Sequence, residues 1–246
     1  MNARVPWPPS PSDEEDTPAA SGWAGVQVQR LGASPDVACV PTEADQVIDE
    51  QPVALVFNGL SHVVMMATPT HLDDLGLGFA LSEGLIPDRR ALRDVQVEQH
   101  HQGWSVHLEV SSQAFAALKD RRRQLAGRTG CGLCGIDSLE AFRADWPAAL
   151  PAAVSSAMGA PGSAVWPQAI QRAWAQLPDH QPLQALTGGC HAAAWVDSEG
   201  HIRLAREDVG RHNALDKLIG AAARQGWLDL PGSTPALALV SSRASY

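Results

Sequence analysis

Val53-Ala54-Leu55-Val56-Phe57-Asn58-Gly59-Leu60-Ser61-His62-Val63-Val64-Met65-Met66-Ala67-Thr68-Pro69-Thr70-His71-Leu72-Asp73 decides the fold class. It reads in succession as strand, turn, strand and helix start. Residues 53–57 are a short apolar run behind the breaker Asp49-Glu50-Gln51-Pro52, which is a strand pattern. Asn58-Gly59 predicts a tight hairpin turn, because both residues tolerate positive φ, and 62–67 forms the return strand. Thr70-His71-Leu72-Asp73 is a capping-box variant; Leu72, Leu75 and Phe79 fall on one helical face, and Gly84 suits the helix end.

Outward from this unit, strands and helices continue to mix. Residues 25–40 alternate roughly between apolar and polar, and 104–110 alternate cleanly, Val106, Leu108 and Val110 against Ser105, His107 and Glu109. A helix is expected over 112–124, a linker rich in Pro, Ala, Ser and Gly over 146–162, and a helix over 164–177 with Val165, Ile170, Trp174 and Leu177 facing inward. Thr187-Gly188-Gly189 turns into a strand of small residues at 190–196, and 201–205 returns as its partner. Asn213 is expected to cap a helix over 214–225, and 236–240 reads as a fully apolar strand covered on both faces. The pattern predicts an α/β protein, a mixed sheet with helices on both faces. Residues 1–22, with the acidic run Asp13-Glu14-Glu15-Asp16 among prolines, are expected to be a disordered tail, leaving 23–246 as one domain. The strand at 236–240 ends near Tyr246 without a covering helix, so a C-terminally truncated chain is expected.

Composition narrows the function classes. A net charge of -9 argues against general nucleic-acid binding. No long apolar run or leader is evident, so a cytoplasmic protein is expected. The four cysteines, Cys39, Cys131, Cys134 and Cys190, are too few and irregular for a disulfide framework.

Cys131 and Cys134 lie in Arg128-Thr129-Gly130-Cys131-Gly132-Leu133-Cys134-Gly135, a glycine loop that can present thiols to a large partner. Arg128 and the cluster Arg121-Arg122-Arg123 favour the thiolate, the reactive form. The pair is either a sulfur-chemistry site or half of a metal site; a four-cysteine zinc site would need Cys39 and Cys190 as a second pair. His107-Leu108-Glu109 ahead of Cys131-Gly132-Leu133-Cys134 follows the order of zinc nucleoside deaminases, but Gly130 stands where they carry proline, and the strand pattern makes His107 and Glu109 a polar face. In the block 206–217, charges of both signs meet a helix start, a place suited to phosphate or carboxylate. Cys190 reads as a small core residue, and His191 as either a buried histidine or a site residue.

Several motifs together resemble one family. Met66-Ala67-Thr68-Pro69, Leu72-Asp73-Asp74-Leu75, Leu81-Ser82-Glu83-Gly84, the cysteine loop, Ser138-Leu139-Glu140, Thr187-Gly188-Gly189, His191-Ala192-Ala193 and the block from Arg206 are similar to the FdhD family of formate dehydrogenase accessory sulfurtransferases. The resemblance implies a cytidine-deaminase-like core. It implies a sulfur carrier that takes persulfide sulfur from a cysteine desulfurase and passes it to the molybdenum cofactor, bis-molybdopterin guanine dinucleotide, before insertion into formate dehydrogenase. Carried over, Cys131 would hold the persulfide and Cys134 would assist transfer or act as a relay. Arg206, Asp208, Arg211, His212, Asn213 and Lys217 are candidates for the cofactor's phosphates, inferred from charge and position. No permanently bound cofactor or metal and no nucleic-acid or membrane partner is expected, and homodimerisation is left open. The alternatives are a zinc deaminase and a non-catalytic chaperone of formate dehydrogenase. The family continues beyond Ser242-Arg243-Ala244-Ser245-Tyr246 to an arginine-containing segment linked to the cofactor, in keeping with truncation.

Overall fold

The computed structural model describes residues 21–29, 42–125, 165–228 and 237–242; side chains of 120–125, 165 and 166 are left aside, and element labels below number the described elements. Strands β1 (Trp23–Gln29) and β2 (Thr42–Ile48) pair antiparallel as a separate ribbon. β3 (Gln51–Phe57) and β4 (Leu60–Ala67) form the expected hairpin, with Asn58 at φ 45 and Gly59 at φ 78. Asn58 also locks the hairpin to the next strand pair. Its Nδ2 donates to the Val110 carbonyl at 3.0 Å, and its Oδ1 accepts from the Val110 amide at 2.7 Å. β5 (Leu92–His100) and β6 (Gly103–Val110) complete a four-stranded mixed sheet in the order β4-β3-β6-β5, in which only the β3–β6 pair is parallel.

The second half builds a three-stranded antiparallel sheet, β8 (Ile202–Asp208), β7 (His191–Val196) and β9 (Leu237–Val240), in the order β8-β7-β9. Helices α1 (Leu72–Ser82), α2 (Ser112–Leu125), α3 (Val165–Gln176), α4 (Pro182–Thr187) and α5 (Arg211–Arg224) pack around the sheets. The α/β class therefore holds, with the strands divided among three sheets. Of these, the β8-β7-β9 sheet has helices on both faces. Ala193 and Leu204 pack with Leu218 and Ala222 of α5, while Ala192, Ala194 and Val196 pack with Ala173 of α3 and with Leu177.

The layers meet where α1 crosses α5. The inner face of the four-stranded sheet (Val53, Leu55, Phe57, Val106, Leu108) buries Leu72, Leu75 and Leu77 of α1. On α1's far side, Gly78 lies directly against the Asp216 carbonyl of α5, and Gly220 of α5 lies against the Asp74 carbonyl. A methyl group at either position would collide with rigid backbone, so the two glycines set the helix separation.

Some local expectations fail. Thr70 does not cap α1: the cap position is His71, in left-handed conformation at φ 51 without a side-chain cap bond. The capping box fails because the chain must turn sharply after Thr68, whose groups are held elsewhere. On α3 the buried residues are Ala169 and Ala173, while Ile170 and Trp174 are exposed. A small-residue face is what lets α3 approach the alanine-rich sheet. β9 is half-buried with Ala238 exposed rather than covered on both faces, because among the described residues it is an edge strand paired to β7 alone. β2 and β5 were not foreseen. The expected linker over 146–162 and the truncation concern residues outside those described, as does nearly all of the expected tail 1–22.

The glycine crossing gives a sharp test. Gly→Ala in a helix normally adds up to about 1 kcal/mol of intrinsic stability, but overpacking against backbone costs about 1–3 kcal/mol or more. Gly78→Ala and Gly220→Ala should each be destabilising by about 2 kcal/mol or more in urea unfolding. Gly25→Ala, which meets open space, should stay within about 0.5 kcal/mol.

Candidate functional site

The end of β8 delivers Arg206, Glu207 and Asp208 inward, and Gly210 then starts α5. Asp208 is fully buried. Its Oδ2 accepts from the Thr68 amide at 3.1 Å and from Lys217 Nζ at 2.6 Å, and its Oδ1 accepts from the Gly210 amide at 2.8 Å and Asn213 Nδ2 at 3.0 Å. Lys217, also fully buried, donates to the carbonyls of Thr68 at 2.8 Å and Glu207 at 3.4 Å. Burial pushes the Lys217 ammonium below its ordinary range, and the Asp208 carboxylate opposes that shift. Asn213 Nδ2 also reaches the Met66 carbonyl at 2.8 Å, and the Val209 amide donates to Thr68 Oγ1 at 3.0 Å. The knot thus ties the end of β4 to the start of α5.

Asn213 lies in the first turn of α5 and does not cap it; the cap position is Gly210, and the helix starts at Arg211, earlier than expected. A side chain there could not reach free amides because it is committed to Asp208 and Met66. Arg206 Nε donates to Asp74 Oδ2 at 2.9 Å, and Arg224 reaches both Asp73 and Asp74. The structure therefore divides the six residues of the expected phosphate-binding set. Asp208, Asn213 and Lys217 point into the knot and Arg206 is tied to Asp74, whereas Arg211 is half-buried and His212 exposed on the first turn of α5. His71 sits beside this cationic group. The residue is exposed at the surface, yet loss of hydration around its ring, then the charges of Arg206, Lys217 and Arg224, push its pKa down from the ordinary imidazole value.

Next to the knot lies a cavity of about 440 Å³ lined by Gln181, Gln184, Gly189, Cys190, His191 and Ser241. Glu207 separates it from the knot. Its carboxylate accepts from the Leu183 amide at 2.9 Å and the Gln184 amide at 2.8 Å, holding the first turn of α4. It also accepts from Cys190 Sγ at 3.3 Å. Burial first, then the Glu207 charge and that hydrogen bond, raise the Cys190 pKa far above the ordinary thiol range. Burial and the neighbouring carboxylate thus favour the protonated thiol, the less nucleophilic form of Cys190. His191 is half-buried and lines this cavity.

Cys131 and Cys134 lie outside the described residues. Thr68, Asp74 and Glu207 are the residues of this region that sequence reasoning missed as participants; the only signal was a threonine before proline and acids flanking basic residues. His107 and Glu109 lie in mid-sheet on β6, with His107 Nε2 on Ser105 Oγ at 2.9 Å and Glu109 near Arg93 at 3.8 Å, not at a helix start.

These features define a mixed α/β protein with an ionic knot between its two main sheets and a polar cavity beside it. Comparisons of fold and of sequence agree in kind. The crystal structure of a protein from Desulfotalea psychrophila, described as a formate dehydrogenase accessory protein, superposes with a TM-score of 0.54 at 17% identity, covering 89% of this chain and 73% of that one, a likeness of fold. Sulfur carrier proteins from Cupriavidus necator and Chromobacterium violaceum are 50% and 53% identical over 202 and 205 residues, each match covering 82% of this chain and 65% and 71% of the relative. One from Burkholderia cenocepacia is 48% identical over 243 residues, 97% of this chain and 81% of the relative. The chain thus spans about two thirds of the first of these relatives. Residues 48–246 match the model of the FdhD/NarQ family, and the chain belongs to that family. Among the described residues no helix is long and apolar enough to cross a membrane.

Removing the charge from one partner of the buried pair should be severe. Asp208→Asn leaves Lys217 without its counter-ion and should cost about 3–5 kcal/mol in chemical denaturation. Asp216 behaves oppositely. Burial raises its pKa to about 6, against the Ser82 hydroxyl that donates at 2.8 Å, and Glu83 and Asp208 add to the rise. Between its ordinary value and about 6 the folded state holds more protons than the unfolded one, so stability falls as pH rises through that window. Asp216→Asn, which can still accept from Ser82, should flatten this dependence and stabilise the protein at pH 7 by about 1–3 kcal/mol.

Proposed function

We infer that this chain is a sulfur carrier in formate dehydrogenase maturation, with Cys131 as the persulfide-bearing thiol. The observation that carries the reading is the family match together with relatives named sulfur carriers; Cys131 as the carrier thiol and Cys134 as its assistant are what the family resemblance implies. Cys39 precedes the family match at residues 48–246, and Cys190 is buried, its thiol pushed up by that burial and then by Glu207. Cys131 and Cys134 stand in a glycine-rich stretch of sequence downstream of arginines that favour the thiolate.

Sulfur transfer then runs in two balanced steps. The Cys131 thiolate attacks the terminal sulfur of a cysteine desulfurase persulfide, forming a Cys131 persulfide and releasing the desulfurase thiolate. The Cys134 thiolate attacks Cys131 Sγ, a disulfide forms and the terminal sulfur leaves as hydrosulfide, the equivalent delivered to the molybdenum cofactor as substrate. A dithiol reductant restores the pair. For the bis-molybdopterin guanine dinucleotide, Arg211 and the N-terminal turn of α5 offer positive charge and dipole to phosphate, and His212 offers an imidazole. In this reading Arg206, Asp208, Asn213 and Lys217 position that turn, and the cavity at Gln181, Gln184 and His191 offers amide and imidazole groups to the polar edge of a base. A cytoplasmic setting, the cysteine desulfurase and formate dehydrogenase as partners belong to the same proposal.

Intact-protein mass after incubation with a cysteine desulfurase and cysteine tests it. The chain should gain one sulfur, mapped to the peptide containing Cys131; Cys131→Ala should abolish the gain and Cys190→Ala should leave it. Sulfur retained in Cys131→Ala, or none gained by the native chain, overturns the assignment.

A further inference from the structure

We propose that the outer face of the β5–β6 hairpin is a binding site for a borderline divalent cation, zinc foremost, with Glu98, His100 and His107 as protein ligands. This site is separate from the thiol pair and from the knot at Asp208. The register sets Gln96 opposite His107, Glu98 opposite Ser105 and His100 opposite Gly103. Glu98 and His100, two apart on β5, therefore share one face with Ser105 and His107, two apart on β6. The alternate residues Val95, Val97, Val106 and Leu108 pack into the core and fix the register, so the ligand strands are anchored from behind.

The donor atoms converge. One ligand atom from each of Glu98, His100 and His107 lies within 4.8 Å of the other two. Glu98 Oε2 is 3.6 Å from His107 Nε2 and 3.9 Å from His100 Nε2. Ligand atoms around tetrahedral zinc, at about 2.0–2.2 Å from the metal, stand about 3.3 Å apart, so closure needs only a small change in side-chain torsions. Both imidazoles point Nε2 at one hydroxyl, Ser105 Oγ, at 2.7 Å from His100 and 2.9 Å from His107. One hydroxyl proton can be donated to only one of them, so one Nε2 already faces the cluster with its lone pair and the other must bring its own proton. Two imidazoles and a carboxylate gathered on a single polar point form a donor set that a cation satisfies better than the hydroxyl does. Ser105 itself is nearly buried beneath the rings, a firm floor, while Glu98 and His100 are exposed and admit a metal from solvent. Asp94 and Glu109, paired across the same face, add negative charge, and Arg93 lies 3.8 Å from Glu109, away from the three ligands. Two imidazoles with one carboxylate and an open position suit zinc, cobalt, nickel or copper rather than calcium or magnesium.

The test uses the full chain with Cys39→Ser, Cys131→Ser and Cys134→Ser, so that Cys190 is the one thiol left. Equilibrium dialysis against Zn2+ should show about one ion per chain, and His107→Gln, His100→Gln and Glu98→Gln should each weaken binding by about tenfold or more. His180→Gln, an exposed histidine outside the cluster, should leave binding unchanged. Because these side chains lie on a solvated sheet face, circular dichroism should be the same for every variant. Bound Co2+ should show visible absorption of nitrogen and oxygen coordination without thiolate charge-transfer bands. Zinc binding that survives His107→Gln, no retained zinc, or a thiolate signature from Cys190 would overturn the proposal.

Discussion

The structure depends on how a carboxylate with no access to water is satisfied. Asp208 accepts from two backbone amides, one side-chain amide and one ammonium, and such a set can replace the lost hydration of a buried anion. The donors come from three places: the Thr68 turn after β4, the turn at Gly210, and α5. None of these elements can shift without stranding a charge. A buried pair of this kind adds little net stability over apolar packing, but it penalises every arrangement in which its partners are apart. Here it works as a register pin between the two halves of the molecule.

The pin and the glycine crossing are parts of one device. Gly78 and Gly220 let α1 and α5 touch backbone to backbone, which brings Asp74 at the start of α1 within reach of Arg206 on β8. With larger residues the helices would separate and Arg206 would lose its carboxylate. The close approach also forces Asp216 of α5 beside the last turn of α1, near Ser82 and Glu83. Burial first, and then the Glu83 and Asp208 charges, disfavour the Asp216 carboxylate, so tight packing has a local electrostatic cost there.

What was legible in the sequence follows from the range of the interactions involved. The hairpin at Asn58-Gly59, the alternation of β6 and the helix at Ser112–Leu125 are local patterns, and each was read correctly. The orientation of α3 was not. The largest apolar side chains suggested its inward face, but Ala169 and Ala173 turn inward because close packing on Ala192 and Ala194 leaves no room for Trp174. The block from Arg206 was legible as dense charge next to a helix start. Its direction was not, because the acceptors and donors that turn it inward, Thr68 and Asp74, lie far away in sequence. β5 escaped notice although Val95 and Val97 alternate with polar residues; its polar face is as rich in charge as a loop.

That polar face and the knot are two answers to one problem. Both gather ionisable side chains at short range, and they differ in whether the chain supplies the opposite charge. At Asp208 it does, through Lys217, and every lone pair on the carboxylate finds a donor within the fold. On the β5–β6 face the groups brought together are two imidazoles and a carboxylate around one hydroxyl, with Asp94 and Glu109 alongside and Arg93 turned to Glu109. Like charges directly opposite one another across a strand pair, as Asp94 and Glu109 are, are unfavourable. A folded chain that closes its buried polar network so completely at one place, and leaves a convergent donor set open to solvent at another, is arranged to hold its own charge in the first and to accept a charge from outside in the second.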